Sequence, residues 1–378
     1  MALAATTPLA SYDQANGEFL DLSNELAEII RRDNTSFLSR LGISGSATET
    51  KHSWMEDSLN ANTVTLDESG FDSSETDMTL VSTAAVRVGS LLRNVSEAGK
   101  TEVVQVTSVD SATVLTIVRG YGSTTGEAHT TGSTWNVINP SQEGQDPNAD
   151  TSKVRTKVSN YTQIFQYGIN VSHTMRSVLQ AGVSDEYTFQ VARRLMEAMR
   201  ELDASIVGGI SSSSQGSDTV YRSMGGIIEF ASQATGNLNT TSEALTLSVI
   251  NAMAKQIWDD GGYPNFVLVG GKQKRAISTL DQSARRSVYD TTVAGYVVDK
   301  IITDLGFILD VIVDPWMPDD TAIVGDIGKC RVMPLANSAM RAEDLAKTGA
   351  AFKGQIYGEY TCEYRNAIQA FAHHNALT

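Results

Sequence analysis

Ser184–Gly209 reads SDEYTFQVARRLMEAMRELDASIVGG, and its spacing predicts one long helix around which the rest of the chain is arranged. Ser184 suits an N-cap, because a hydroxyl there accepts from an orphan backbone N–H, and Asp185 and Glu186 place negative charge at the positive end of the helix dipole. Gly208 and Gly209 supply the stop. Ala192, Leu195, Met199, Leu202 and Ile206 recur three and four apart, which makes one apolar stripe; Arg193, Arg194, Glu197, Arg200 and Glu201 take the other faces. About 23 residues rising 1.5 Å each span roughly 35 Å, the width of a domain. On these residues alone it is a long core helix.

Upstream, Val154 to Met175 is strand-like, with Ile164-Phe165 and Ile169/Val171. Before it, from Leu80 to Ile138, apolar residues recur every second position: Val86/Val88, Val104/Val106, Val114 with Leu115 and Ile117, and Trp135/Val137, separated by turns such as Glu97-Ala98-Gly99-Lys100. This is a β module of four or more strands, and Asn139 to Ser152 reads as its linker. His52 to Asp77 is acidic and polar, with no calcium-loop spacing, and reads as a solvated extended loop. Residues 1 to about 50 read as an arm: Leu22, Leu26, Ile29 and Ile30 sit at helical spacing, and Phe37, Leu38 and Leu41 follow. So short an amphipathic segment must bury its face on a distant core or on a neighbour.

Downstream, Ser211 to Asp218 is a Ser/Gly-rich loop. Helix and strand then alternate from about 240 to 335: a helix capped by Ser242 with Leu247, Ile250, Ala254 and Ile257 on one side, a buried strand Phe266–Val269, a helix over Lys272–Leu280, and strands Phe307–Val313 and Thr321–Val324. Phe352 to Ala376 is strand-like again and is expected to rejoin the 184–209 helix rather than the α/β layer.

The chain has 378 residues, 41% of them hydrophobic and 19% charged, enough for two or three domains. Its 29 basic against 44 acidic residues leave a net charge of −15, which opposes nucleic-acid binding through phosphates. The start MALAATTPLASYDQ has no basic region or long apolar core, so no signal peptide is expected, and no run reaches the 18 or so apolar residues of a membrane span. Cys330 and Cys362 are the only cysteines and are expected as buried thiols.

Residues that invite chemistry each have a structural explanation. His129, within Gly126-Glu-Ala-His-Thr-Thr-Gly132, has no base or second histidine near it in sequence and reads as a turn or packing residue. Gly270-Gly271-Lys272 between strand and helix lacks the earlier glycine and the following Ser/Thr of a phosphate loop. Asp259-Asp260 and Asp319-Asp320 adjoin Gly or Pro turns, where aspartate bonds to local backbone. His373 and His374, adjacent in a strand, face opposite sides and do not share a metal. No nucleophile elbow, HExxH or CxxC is present, so no catalytic, cofactor or metal residue is expected, nor any cofactor.

The order of segments resembles the major capsid (head) proteins of tailed bacteriophages, the Hong Kong 97 capsid-fold family. Four words carry the resemblance: His52-Ser-Trp54-Met-Glu-Asp57-Ser-Leu59; Asn160-Tyr-Thr-Gln-Ile-Phe165 followed by Val171-Ser172; Gly225-Gly226-Ile227; and Glu359-Tyr-Thr-Cys-Glu-Tyr-Arg365-Asn366. It covers the chain from about residue 15 to the end, with one departure: Asn34-Thr-Ser36-Phe37 lacks a proline expected before the phenylalanine. The resemblance implies an α+β fold with an N-terminal arm (1–50), an extended loop (51–150) carrying the β-rich insertion (about 80–138), a peripheral domain (151–235) with the spine helix 185–207, an axial α/β domain (236–335), and a return to the peripheral domain (336–378). It implies a structural, non-enzymatic subunit. Such a subunit self-assembles into hexamers and pentamers of an icosahedral or prolate head in the virion. The head is assembled in the host cytoplasm and encloses double-stranded DNA without sequence-specific binding. The expected partners are the chain itself, a portal, and scaffold or decoration proteins, with no membrane. The alternatives are an α/β-domain hydrolase built on 240–335, and a minor virion or decoration protein with an immunoglobulin-like module.

Overall fold

The computed structural model describes residues 36–144, 146, 152–178, 183–233, 235–279, 299–347 and 349–378. The helix expected around Leu22–Ile30 lies outside them, as does Leu280. The described chain divides into two units: Met55–Lys157, and the residues up to Trp54 together with Val158–Thr378. It begins with α1 (Ser36–Leu41) and β1 (Lys51–Glu56).

In the 55–157 unit, β2 (Thr63–Thr65), β3 (Asp77–Thr79), β4 (Leu91–Asn94), β5 (Val103–Val109), β6 (Val114–Val118) and β7 (Thr134–Ile138) pair antiparallel in the order β2-β7-β4-β5-β6-β3. The two ends of that order meet. Leu66 bridges Leu80, Asp67 N donates to Thr79 O at 2.9 Å and Val81 N to Thr65 O at 3.0 Å, so the six strands close into a barrel with no long free edge. Its interior holds Val64, Leu66, Phe71, Met78, Leu80, Leu92, Val104, Val106, Leu115, Ile117 and Trp135. The sheet therefore starts at Thr63 rather than near Leu80. β2 and the first residue of β3 come from the acidic stretch read as a solvated loop, and at three residues each the two strands are too short to display an alternation.

The larger unit continues through β8 (Thr156–Tyr161), β9 (Gln163–Ser172), α2 (His173–Ser177), α3 (Glu186–Gly208), α4 (Ile227–Ser232), β10 (Leu238–Asn239), α5 (Leu247–Asp259), β11 (Phe266–Val269), α6 (Gly271–Thr279), β12 (Lys300–Ile302), β13 (Ile308–Val313), β14 (Ala322–Gly325), β15 (Cys330–Pro334), β16 (Arg341–Asp344), β17 (Ala351–Tyr364), α7 (Ala367–Ala370) and β18 (Phe371–His374). The 184–209 stretch is one helix, as its periodicity predicts. Its N-cap is Asp185 rather than Ser184: the Asp185 carboxylate accepts from the Thr188 hydroxyl at 2.8 Å, and Phe189 N bonds to Asp185 O at 3.1 Å. The buried face is Ala198, Leu202, Asp203, Ile206 and Val207, so the stripe is rotated from the predicted one, and Leu195 is 41% exposed.

α3 packs on a sheet centred on β17. β9 pairs antiparallel along one edge of β17, from Ala351↔Ser172 to Tyr360↔Gln163, and β16 and β15 pair along the other. Ala198 meets Ile169, Val171 and Ile356 there, with Tyr187 and Val191 at the margin. A Cβ at Gly354 would stand 2.1 Å from the Tyr187 hydroxyl, so a larger residue there would have to displace that side chain.

The second sheet runs β10-β18-β14-β11-β13-β12, with β11 parallel to β13 and antiparallel to β14. Phe266-Val-Leu-Val269 is apolar at every position because both faces are covered. Val267 and Val269 meet Val249, Ile250, Met253 and Ile257 of α5, whose Thr246 cap accepts from Val249 N at 3.3 Å in place of the expected Ser242. Phe266 and Leu268 face Phe37 and Leu38 of α1 and the end of α3. β18 joins this α/β sheet through β14 and β10, so of the late strands only β17 returns to the helix.

Candidate functional site

The four sequence words converge on the C-terminal end of α3. Gly226 crosses the last helical turn so closely that a Cβ would lie 2.7 Å from Gly209 N and from Val207 O; Gly226 N donates to Gly209 O at 2.8 Å. The fully buried Asn160 side chain ties the next strands to this crossing. Its Nδ2 donates to Cys362 O at 2.9 Å and Gly225 O at 3.0 Å, and its Oδ1 accepts from Gly225 N at 2.8 Å. Glu359 accepts from the Thr162 hydroxyl at 2.5 Å and from Arg222 at 2.6 Å, while Arg222 Nε also donates to Thr162 O at 2.8 Å. Tyr364 donates to Ile206 O at 2.8 Å, Trp54 packs on Phe230 with centroids 5.9 Å apart, and buried Glu363 pairs with Arg365 at 2.8 Å. Asn366 has φ of 50°, a left-handed turn that asparagine tolerates well, and it sends the chain from β17 into α7.

The buried hydrogen-bonding groups named there find their partners within the protein. This knot fixes the end of the spine helix against β8, β9 and β17. Arg222 and Glu359 are the partners that sequence reading did not pair; their 137-residue separation left no local signal.

Inside the barrel, His129 has two carboxylate neighbours that its own stretch of sequence does not show. Its Nδ1 is 2.5 Å from Glu97 Oε2 and its Nε2 is 3.0 Å from Glu102 Oε2, with Trp135 edge-on at 4.6 Å. Arg119 holds Glu102 at 2.7 Å through both Nε and Nη2 and lies 4.3 Å over the Phe71 ring. Lys100 pairs with Glu97 at 2.9 Å. Although burial acts to raise them, the hydrogen bonds from Lys100 and His129 hold the Glu97 carboxyl down at about 2, and those from Arg119, Glu127 N and His129 hold Glu102 low as well. Both carboxylates are ionised, and the histidine is sealed between them with no exposed side-chain surface. This is an ionic staple, not an acid/base site. The partners were hidden because Glu97, Glu102 and Arg119 come from separate strands and turns of the barrel.

The remaining sequence candidates separate likewise. Gly270 is required by close packing, since a Cβ would meet Met317 O at 2.9 Å. Asp260 accepts from Asn237 at 2.8 Å, Asp259 pairs with Lys255, and Asp320 accepts from the Thr321 hydroxyl. His373 and His374 have different partners, the Ser232 hydroxyl at 3.1 Å and Glu243 at 3.1 Å. Cys330 and Cys362 are buried, and burial pushes the Cys362 thiol up to about 12, so neither offers a thiolate. Among the described residues no group of three His, Cys, Asp or Glu side chains could hold a metal, and no helix is long and apolar enough to cross a membrane.

A long spine helix on a four-stranded sheet, joined to a mixed α/β sheet, is the architecture of Hong Kong 97-type shell subunits. Two solved structures share that fold at a TM-score of 0.50 or above. The capsid of a native GTA particle is 10% identical, with coverage of 99% of this chain and 100% of that one and a TM-score of 0.51. The capsid of the empty GTA particle gives 10%, 99%, 100% and 0.50. A structure from Mycobacterium phage Adephagia, 10% identical over 98% of each chain, has a TM-score of 0.48. No curated protein matches the sequence closely enough to count as a relative. Residues 5–377 match the family described as SU10 major capsid protein, and the chain belongs to that family: it is a structural subunit of a phage capsid, not an enzyme.

Proposed function

We propose that the chain builds the phage head as hexamers and pentamers of itself, using the residues before Ser36, rather than the whole of 1–50, as an arm and 51–150 as an extended loop that reach over neighbouring copies. In this reading 151–235 and 336–378 form the peripheral part, and 236–335 the axial part at the capsomer centre. One observation carries it. On the stretches flanking the barrel, Leu59 is 89% exposed, Val154 91% and Met55 61%, although the barrel interior is complete without them. Apolar side chains left this bare beside a finished core suit burial against another copy.

The net charge of −15 suits a shell that encloses DNA without adsorbing it, in keeping with like-charge repulsion. A portal, scaffold or decoration proteins, and assembly in the host cytoplasm, belong to the same reading. The arm is testable, with its boundary moved. Phe37 and Leu38 are core residues, and Ile43 and Ala47 bridge to the β15 segment, so a deletion through residue 45 would damage the subunit itself. Removing residues 2–34 is expected to leave a folded subunit that forms no closed shells in the electron microscope. Normal particles from that deletion would count against the arm.

A further inference from the structure

The α/β sheet ends at an edge with two unlike faces. β12 is its outermost strand and pairs with β13 in the register Lys300↔Asp310, Ile301↔Leu309 and Ile302↔Ile308. Side chains alternate along such a pair, and Ile301 and Leu309 turn inward to the cluster around Ile250 and Met253 of α5. Lys300, Ile302, Ile308 and Asp310 therefore stand on the other face. Further along β13 that face is covered, since Ile312 shares a cluster with Phe37 and Leu268, but at the edge it is bare: Ile302 is 68% exposed and Ile308 55%. Lys300 pairs with Asp310 at 3.3 Å beside them.

On the α5 side the same edge carries a groove of about 420 Å³, between the helix and the turn that joins β12 to β13. Leu247, Ala252 and Lys255 line it from α5, and Asp304 and Leu305 from the turn. Both leucines are exposed. The edge is thus a wedge with an apolar ridge on one face and a partly apolar groove on the other, and the sheet between them keeps a chain's ridge from its own groove. Matching surfaces on opposite sides of one molecule join copies head to tail, and such a contact makes a ring when its rotation closes. Charge supports the match. The ridge carries Lys300 and Asp310 and the groove carries Asp304 and Lys255, so each charge on the ridge has an opposite charge to meet.

We propose that the ridge of one copy, Ile302 with Ile308, seats in the groove of the next, Lys300 against Asp304 and Asp310 against Lys255, and that this contact closes the ring of a capsomer. It rests on the reading of 236–335 as the part at the capsomer centre, and it adds which surfaces meet there and in what sense.

A head-to-tail contact has a signature that a symmetric one lacks. Ile302→Asp breaks the ridge and Ala252→Arg fills the groove; both positions are exposed, so each variant is expected to melt at the wild-type temperature. In sedimentation velocity of the full-length protein, the wild type is expected to form rings and larger assemblies, and each variant alone to lose the ring. Mixed in equal amounts, the two variants restore one good contact, the ridge of the Ala252→Arg copy in the groove of the Ile302→Asp copy, and are expected to give a discrete dimer. Rings that survive both substitutions overturn this contact and leave the capsomer reading standing, whereas a wild type that stays monomeric overturns the capsomer reading and this contact with it. Variants that lose the ring but give no dimer on mixing overturn the head-to-tail sense. Should either variant melt early, an equimolar mixture of Ile302→Cys and Ala252→Cys copies tests the same contact, the native cysteines being buried. Disulfide-linked dimers are then expected on oxidation, and their absence is equally fatal.

Discussion

The barrel and the spine-helix body each bury carboxylates, and they treat them in opposite ways. In the barrel, buried Glu102 and partly buried Glu97 are surrounded by Lys100, Arg119, His129 and backbone N–H groups, and their affinity for protons falls. In the body, Asp203 faces Asp314, and its affinity rises. Burial alone therefore does not set the state of a buried acid; its partners do. A compensated cluster holds one conformation over a wide pH range, whereas a like-charge pair makes its surroundings responsive to pH.

The largest effect should come from breaking the compensated cluster. Glu102→Ala strips five donors of their acceptor, among them the Arg119 guanidinium and His129. Removing one partner of a buried ion pair costs about 3–5 kcal/mol, so the barrel is expected to unfold at clearly lower denaturant while the body's transition stays in place. Tryptophan fluorescence and pulse proteolysis separate the two.

Next comes the register of the spine. Leu202→Ala is expected to destabilise the body by about 2–5 kcal/mol, as for a fully buried leucine, and Leu195→Ala by roughly 0.5 kcal/mol or less. Comparable losses from both would put the stripe back where the sequence pattern placed it. Gly226→Ala should cost about 1–3 kcal/mol in thermal denaturation, because its methyl would press on the backbone of Gly209, Val207 and Ile206.

The smallest effect is the one with opposite signs in the two regions. Glu97 is held at about 2 against an ordinary 4.5, so its contribution is present above pH 4.5 and is lost as pH falls toward 2. Asp203 is raised, so the body gains stability as pH falls from 8 to about 4. Melting each region across pH 2–8 should show the barrel weakening in acid, with Glu97→Gln losing that dependence, while the body strengthens between pH 8 and pH 4.

How far the fold could be read from sequence depended on the range of the forces. α3 was legible because its stripe repeats within one element, although its exact face was not: Leu195 fits the spacing as well as Ala198, and only β9 and β17 decide between them. The late strand β18 could not be told from β17 by composition, since both mix apolar with polar side chains and both are largely buried. Barrel closure rests on three-residue strands and the single Leu66–Leu80 bridge, below any periodic signal. Of the knot, the four words gave the positions but not the bonds: Asn160 meets Cys362 across 202 residues of chain. The acid pair carried no signal at all, because an aspartate inside a helix and another before Pro315 each look like surface residues.

The central claim is that copies of this chain cover one another in a closed shell, and a cryo-electron microscopy map of the assembled full-length protein tests it most directly. The account predicts closed particles in which Met55, Leu59 and Val154 of each subunit are buried against a neighbouring copy. A small discrete oligomer, or a shell in which those three side chains face solvent, would contradict it.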